Sequence, residues 1–408
     1  MRRLMTNSIT LALILVATDF GICCYKKVLA GTKYEPNKLI ESRGKVQLKR
    51  PQWSKYFSVS VGKDLFPRDI LRVGAGATAK VRCASGRLWR VPQGEWGLDN
   101  YCPRVPTNII GIDLRPGGYS LALPFVISPR NTKLLNNRPK LRWNARPNVT
   151  TYTVSLEDQR VGKGIVWKID ELSSTEFTYP NQPAGKSALK YIEIDYPTNK
   201  PPLEPGVDYL LIVESQKRVK ATDSCPSNDW KKLPNNPFLC ITSSTYEKNV
   251  LGLGFSLLNE SKAQQVRQTA AKLKQELNGE AEAIALAQLY SDNENNLLSK
   301  AINVLEALVE QGSQSFGVYS ILGDFYQQAQ LSRLAEARYI KAIELAEGSN
   351  DLEGQAIAQL ALAEIFAGRG FWDGAIKWGI AAKTKYEALG DKERLKELES
   401  KLKEWGTP

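Results

Sequence analysis

Residues 319–342 read YSILGDFYQQAQLSRLAEARYIKA. Tyr319, Leu322, Gly323 and Tyr326 fall at the i, i+3, i+4, i+7 spacing that places side chains on one face of a helix. After a short polar break, Ala335, Tyr339 and Ala342 repeat that spacing on a second helix. The same order occurs upstream as Ala283, Leu286, Ala287, Tyr290, then Ala301 and Leu305, and downstream as Gln359, Leu362, Ala363, Phe366, then Ala375, Gly379 and Ala382. The small residues Ala287, Gly323 and Ala363 are spaced 36 and 40 positions apart. Small side chains there, and at Ala301, Ala335 and Ala375, let two helices approach closely while the aromatics fill the space between them. The period changes from two to 3.6 near Leu257, and Ser261 to Gln264 has the spacing of a capping box opening the first helix. Asp391 to Trp405 reads as a charged amphipathic helix, the polar end that a helical stack needs.

These positions resemble the signature of the tetratricopeptide repeat (TPR), with the central copy matching nearly throughout. The resemblance implies a solenoid of helix pairs whose concave groove binds a peptide or a helix of a protein partner. Two departures bear on groove shape: an extended loop at Asp292 to Asn296, and Gly379 where an aromatic is expected. That loop is superficially like a calcium site, but it lacks the glycine and terminal glutamate of one.

Upstream the period is two. Short β-type runs at 45–48, 56–61, 70–73, 79–83 and 87–91 alternate with turn residues. Gly74 to Ala79 fits GxGxxA, yet the segment after it is strand-like and no crossover helix follows, so the glycines read as a tight turn requiring positive φ. Gly44 to Val46, Val61 to Gly74, Ala77 to Cys83 and Ser85 to Leu88 together resemble the periplasmic FecR-type domain of iron-siderophore signalling proteins. A second β unit spans 124–258, with runs at 141–143, 152–156, 165–167 and 209–213. Leu203 to Val213, with Trp143 upstream, resembles the tyrosine corner and buried tryptophan of a fibronectin type III or Ig-like sandwich. Trp53, Trp89, Trp96 and Trp230 are conceivable sugar-stacking platforms, but a strand aromatic is more often core.

Residues 1–30 read as a signal peptide: Arg2 and Arg3 precede the apolar run Ile9 to Thr18, and Val28 to Ala30 supplies small residues for cleavage before Gly31. The alternative is an uncleaved membrane anchor. Cys23 and Cys24 lack the preceding small residue of a lipidation site. Four cysteines then remain, Cys83, Cys102, Cys225 and Cys240, an even number best read as disulfides, with neighbours in sequence as the simplest pairing. Their spacings are not those of a zinc site. The sequons at Asn148 and Asn259 read as chance.

Charge divides unevenly: residues 31–250 hold 34 Lys and Arg against 20 Asp and Glu, whereas 251–408 hold 17 against 22. A basic β half could meet an anionic envelope polymer, although a solvated surface is the plainer reading. Among 408 residues there is no histidine, which excludes imidazole-based nucleophile and acid–base systems and HExxH zinc sites. Carboxylates such as Glu95, Asp99, Glu204 and Asp208 could serve a glycosidase, but nothing pairs them. The expected architecture is a signal peptide (1–30), a FecR-like β domain (31–123), a β-sandwich (124–258) and an all-α TPR solenoid with a capping helix (259–408). The expected function is a non-enzymatic exported protein-interaction scaffold without cofactor, metal or nucleic-acid partner. Envelope signal relay and polysaccharide binding are the alternatives. The layout is similar to exported TPR proteins of cyanobacteria.

Overall fold

The computed structural model describes residues 36–102, 118, 123–146, 149, 151–173, 190–218, 224–225, 231–233, 236–246 and 253–406. The proposed signal peptide with Cys23 and Cys24, the Asn148 sequon and Trp230 lie outside them.

A β region comes first and eight helices follow. The N-terminal unit holds two antiparallel four-stranded sheets. One has the order 64–65, 37–43, 78–82, 88–91; the other 57–58, 46–49, 70–73, 94–97. Three of these strands, Asn37–Arg43, Asp64–Leu65 and Gly94–Gly97, are absent from the sequence reading. The run expected at 56–61 shortens to Phe57–Ser58. Asn37–Arg43 escapes a period-two search because the chain bulges at Ile40, between the pairs Leu39–Val81 and Glu41–Lys80. Both faces of this strand are covered, with Leu39 packed into the β unit and Ile40 into the helices. Gly76, at φ +69°, supplies the tight turn expected within Gly74 to Ala79.

The second β unit pairs a seven-stranded and a three-stranded sheet over Val126–Leu257. Trp143 is fully buried, and Tyr209 Oη accepts the backbone N–H of Glu204 at 3.0 Å, the hydrogen bond a tyrosine corner makes. Disulfides join Cys83 to Cys102 and Cys225 to Cys240.

The helices are α1 (Glu260–Glu276), α2 (Gly279–Ser291), α3 (Leu298–Glu310), α4 (Phe316–Gln328), α5 (Ser332–Gly348), α6 (Leu352–Gly368), α7 (Trp372–Leu389) and α8 (Lys392–Trp405). They form TPR-like hairpins, α2 with α3, α4 with α5 and α6 with α7, and α8 closes the stack against α7. The first helix does not open on a Ser261 capping box. Asn259 is its cap, its Oδ1 accepting the Lys262 N–H at 2.8 Å, which draws Ser261 inside the helix. Asparagine caps as well as serine, and the chain has Asn two residues earlier.

Candidate functional site

Ala335, Ala342, Leu322, Leu362, Ala363, Ala375 and Ala382 are wholly buried, Tyr319, Tyr326 and Tyr339 nearly so, and Phe366 is half-buried. Their work is helix-to-helix packing. Gly323 shows why size matters: a Cβ there would lie 2.6 Å from the Tyr339 ring. Tyr339 Oη in turn donates to Asp324 at 2.7 Å. Gly379, the departure in the third repeat, leaves room for Leu402 and Trp405 of α8, 2.7 and 3.0 Å from where its Cβ would stand. The missing aromatic is thus supplied by the capping helix.

The first helix of each hairpin carries the decisive feature. In α2, α4 and α6 buried residues lie on every side, as in Val318 to Gly323, where six successive positions are covered. In α3, α5 and α7 they follow a single stripe. A helix buried all round needs partners on both faces. One face packs on the second helices, and much of the other is met by the chain's own β units.

Strand 37–43 lies on α2. The loop after the strand Phe57–Ser58 meets the start of α4 so closely that a Cβ on Gly317 would strike the Val61 carbonyl oxygen at 1.9 Å. From this loop Lys63 reaches Asp351 (3.2 Å) and Glu353 (3.3 Å), at the start of α6, with its ammonium over the Phe316 ring. Arg50 joins from the neighbouring sheet, Nε donating to Glu353 at 2.9 Å and Nη1 to Asp69 at 3.1 Å. All five side chains are at most 4% exposed. Arg394 of α8 approaches Glu353 to 4.0 Å, so three carboxylates face three cations. Trp53 completes the joint, its indole N–H donating to Asp391 at 3.2 Å while Asp391 caps α8 through the Arg394 N–H.

This setting governs proton affinity. Burial pushes Glu353 up, but Arg50, Lys63 and Arg394 outweigh it and hold the carboxyl at about 2. Burial dominates at Asp69, raising it to about 6 against the pull of Arg50.

The second β unit attaches differently. Arg130 donates to the carbonyls of Ala329 (2.7 Å) and Gln330 (3.2 Å), and Asn131 to that of Gln328 (3.1 Å), which satisfies the C-terminal end of α4. Thr132 Oγ1 accepts the Ser299 N–H at 3.2 Å, capping α3 from outside the helix.

The remaining expectations resolve plainly. Trp53 and Trp89 are core residues without an open stacking face, and Trp96 is half-buried and perpendicular to the Tyr101 ring. Glu95, Asp99, Glu204 and Asp208 are exposed, and Glu95 is hydrogen-bonded by Tyr56 and Arg72, which lower its pKa. No cluster with metal-ligand composition occurs among the described residues, and none of their helices is long and apolar enough to cross a membrane. Sequence reasoning missed Arg50, Lys63, Asp351, Glu353 and Asp391. Asp351 and Asp391 carried one signal, an acidic residue immediately before a helix.

No protein-family model matches the chain, and no curated protein matches it. A solved structure titled MamA MSR-1 C2 is similar over 36% of this chain and 89% of its own, at 20% identity and a TM-score of 0.24. A likeness at that level carries no argument about partners.

Proposed function

We propose that the protein is a non-enzymatic interaction scaffold of the cell envelope, exported through its N-terminal segment into an oxidising compartment. The disulfides support that compartment, since such bonds persist outside the reducing cytosol. The observation that carries the scaffold reading is the burial of α2, α4 and α6 on every side. The helix stack is a docking frame, and its first occupant is the chain's own β region. A peptide or helix of an envelope partner uses the same first-helix groove by taking the place of the loop that carries Lys63. The exposed cations Lys55, Arg68, Arg87 and Arg90 on the N-terminal unit are the surface an anionic envelope polymer would meet.

The test is recovery of partners from native envelope with the tagged full-length chain and its Lys63→Glu variant, which sets a third carboxylate beside Asp351 and Glu353. Greater recovery of a defined protein by the variant supports displacement. Equal recovery places the partner elsewhere on the molecule, and recovery of nothing by either chain defeats the scaffold reading.

A further inference from the structure

At the far end of the stack a concavity of about 440 Å³ opens between α1, α2, α3 and the loop after the strand Thr132–Leu134. On α1, Arg267, Ala270, Ala271 and Lys274 follow the i, i+3, i+4, i+7 spacing, so the two alanines form a trough with a cation at each end. Lys300 of α3 enters from the opposite wall with its ammonium 5.3 Å from the Tyr290 ring centre. Leu135 and Tyr290 add apolar surface.

Two of the three cations, Lys274 and Lys300, lack a carboxylate partner among the described residues. Arg267 meets Glu260 at 2.8 Å and the Leu135 carbonyl at 2.8 Å. Burial, then the like charges of Lys274 and Arg267, lower the Lys300 pKa. Glu282 is close enough to act on Tyr290, and it does not offset the cations at Lys300. Three cations directed into one hollow repel each other, and an anion seated among them removes that cost.

We propose that this hollow binds a multiply charged oxyanion carried on an apolar or aromatic body, with Arg267, Lys274 and Lys300 holding the anion and the alanine trough and Tyr290 the body. Phosphate esters and dicarboxylates share this chemistry. The inference stands apart from the groove between the β region and the first helices.

The test uses the full-length protein and isothermal titration with phenyl phosphate, phthalate, inorganic phosphate and phenol. Saturable binding is expected for phenyl phosphate or phthalate, and the tighter of the two identifies the source of the anion. Inorganic phosphate is expected to bind at least about 10-fold more weakly and phenol not at all. Lys274→Met and Lys300→Met are expected to reduce affinity about 10-fold or more, with unfolding temperatures equal to or above that of the unaltered chain because repulsion is relieved. Lys300→Arg is expected to retain binding. Tracking Lys300 Nζ by NMR should show its pKa rising when the anion binds. Failure of both phenyl phosphate and phthalate to saturate overturns the proposal, as does unchanged affinity in both methionine variants. Inorganic phosphate binding as tightly as phenyl phosphate removes the apolar half of it.

Discussion

The two β units hold the same helix stack by opposite chemistry. The N-terminal unit uses buried charge, with Arg50 and Lys63 against Glu353, Asp351 and Asp69. The second unit uses side chains that donate to helix-end carbonyls, Arg130 and Asn131 at the end of α4. A helix terminus exposes unpaired backbone groups whatever its sequence, so the second joint satisfies groups that need partners anyway. A buried ion cluster has no such surplus. Its members were desolvated to form it, and each is stable only while the others remain. The first joint should therefore be sensitive to charge and pH.

Removing one charge from the cluster is the strongest way to break this contrast. Glu353→Ala leaves Arg50 and Lys63 buried without their shared partner, and the expected loss is about 3–5 kcal/mol in denaturant unfolding. A loss below about 1 kcal/mol would mean that the cluster is solvated. The disulfide Cys83–Cys102, which closes a loop with a sequence separation of 19 inside the N-terminal unit, comes next. Replacing both cysteines by serine is expected to cost about 3 kcal/mol on the chain-entropy account. Calorimetry should show that loss in the transition that exposes the N-terminal unit.

Arg130→Ala deletes donors to buried carbonyls, and about 1–3 kcal/mol is expected. The effect of Glu353→Ala should shrink between pH 7 and pH 3, as the Glu353 contribution is lost with falling pH. The pH profile of the unaltered chain sharpens this further. Asp69 titrates at about 6 in the fold against 3.8 in the unfolded chain, so the fold binds the extra proton and gains stability as pH falls through that window. Glu353 titrates at about 2 against 4.5, so its contribution is present above 4.5 and is lost as pH falls toward 2. Stability should peak between about pH 4 and 5. Glu353→Gln should abolish the acid limb below the peak, and a limb that persists unchanged would assign it to other carboxylates.

Helix pairing was legible because it is local: Gly323 and Tyr339 belong to neighbouring helices, and the small-residue rule holds at each repeat. The strand Asn37–Arg43 was hidden, because Leu39 and Ile40 are buried on its opposite faces in different cores and a bulge at Ile40 breaks the register, which removes the alternation that betrays a strand. The ion cluster was not legible at all. Arg50 and Glu353 lie 303 residues apart, and neither carries a pattern that names the other. Yet α2, in GEAEAIALAQLYS, and α6, in LEGQAIAQLALAEIFAG, have alanine or larger apolar residues on nearly every side. That composition is the sequence's own sign that the face opposite the second helices is covered.

Amide hydrogen exchange of the full-length chain beside its Lys63→Glu variant examines that covered face directly. If the β region fills the first-helix side, amides at the starts of α4 and α6 are strongly protected in the unaltered chain and lose protection in the variant, while α3 stays unchanged. Equal protection of α4 and α6 in the two chains, or fast exchange there in both, would contradict the account.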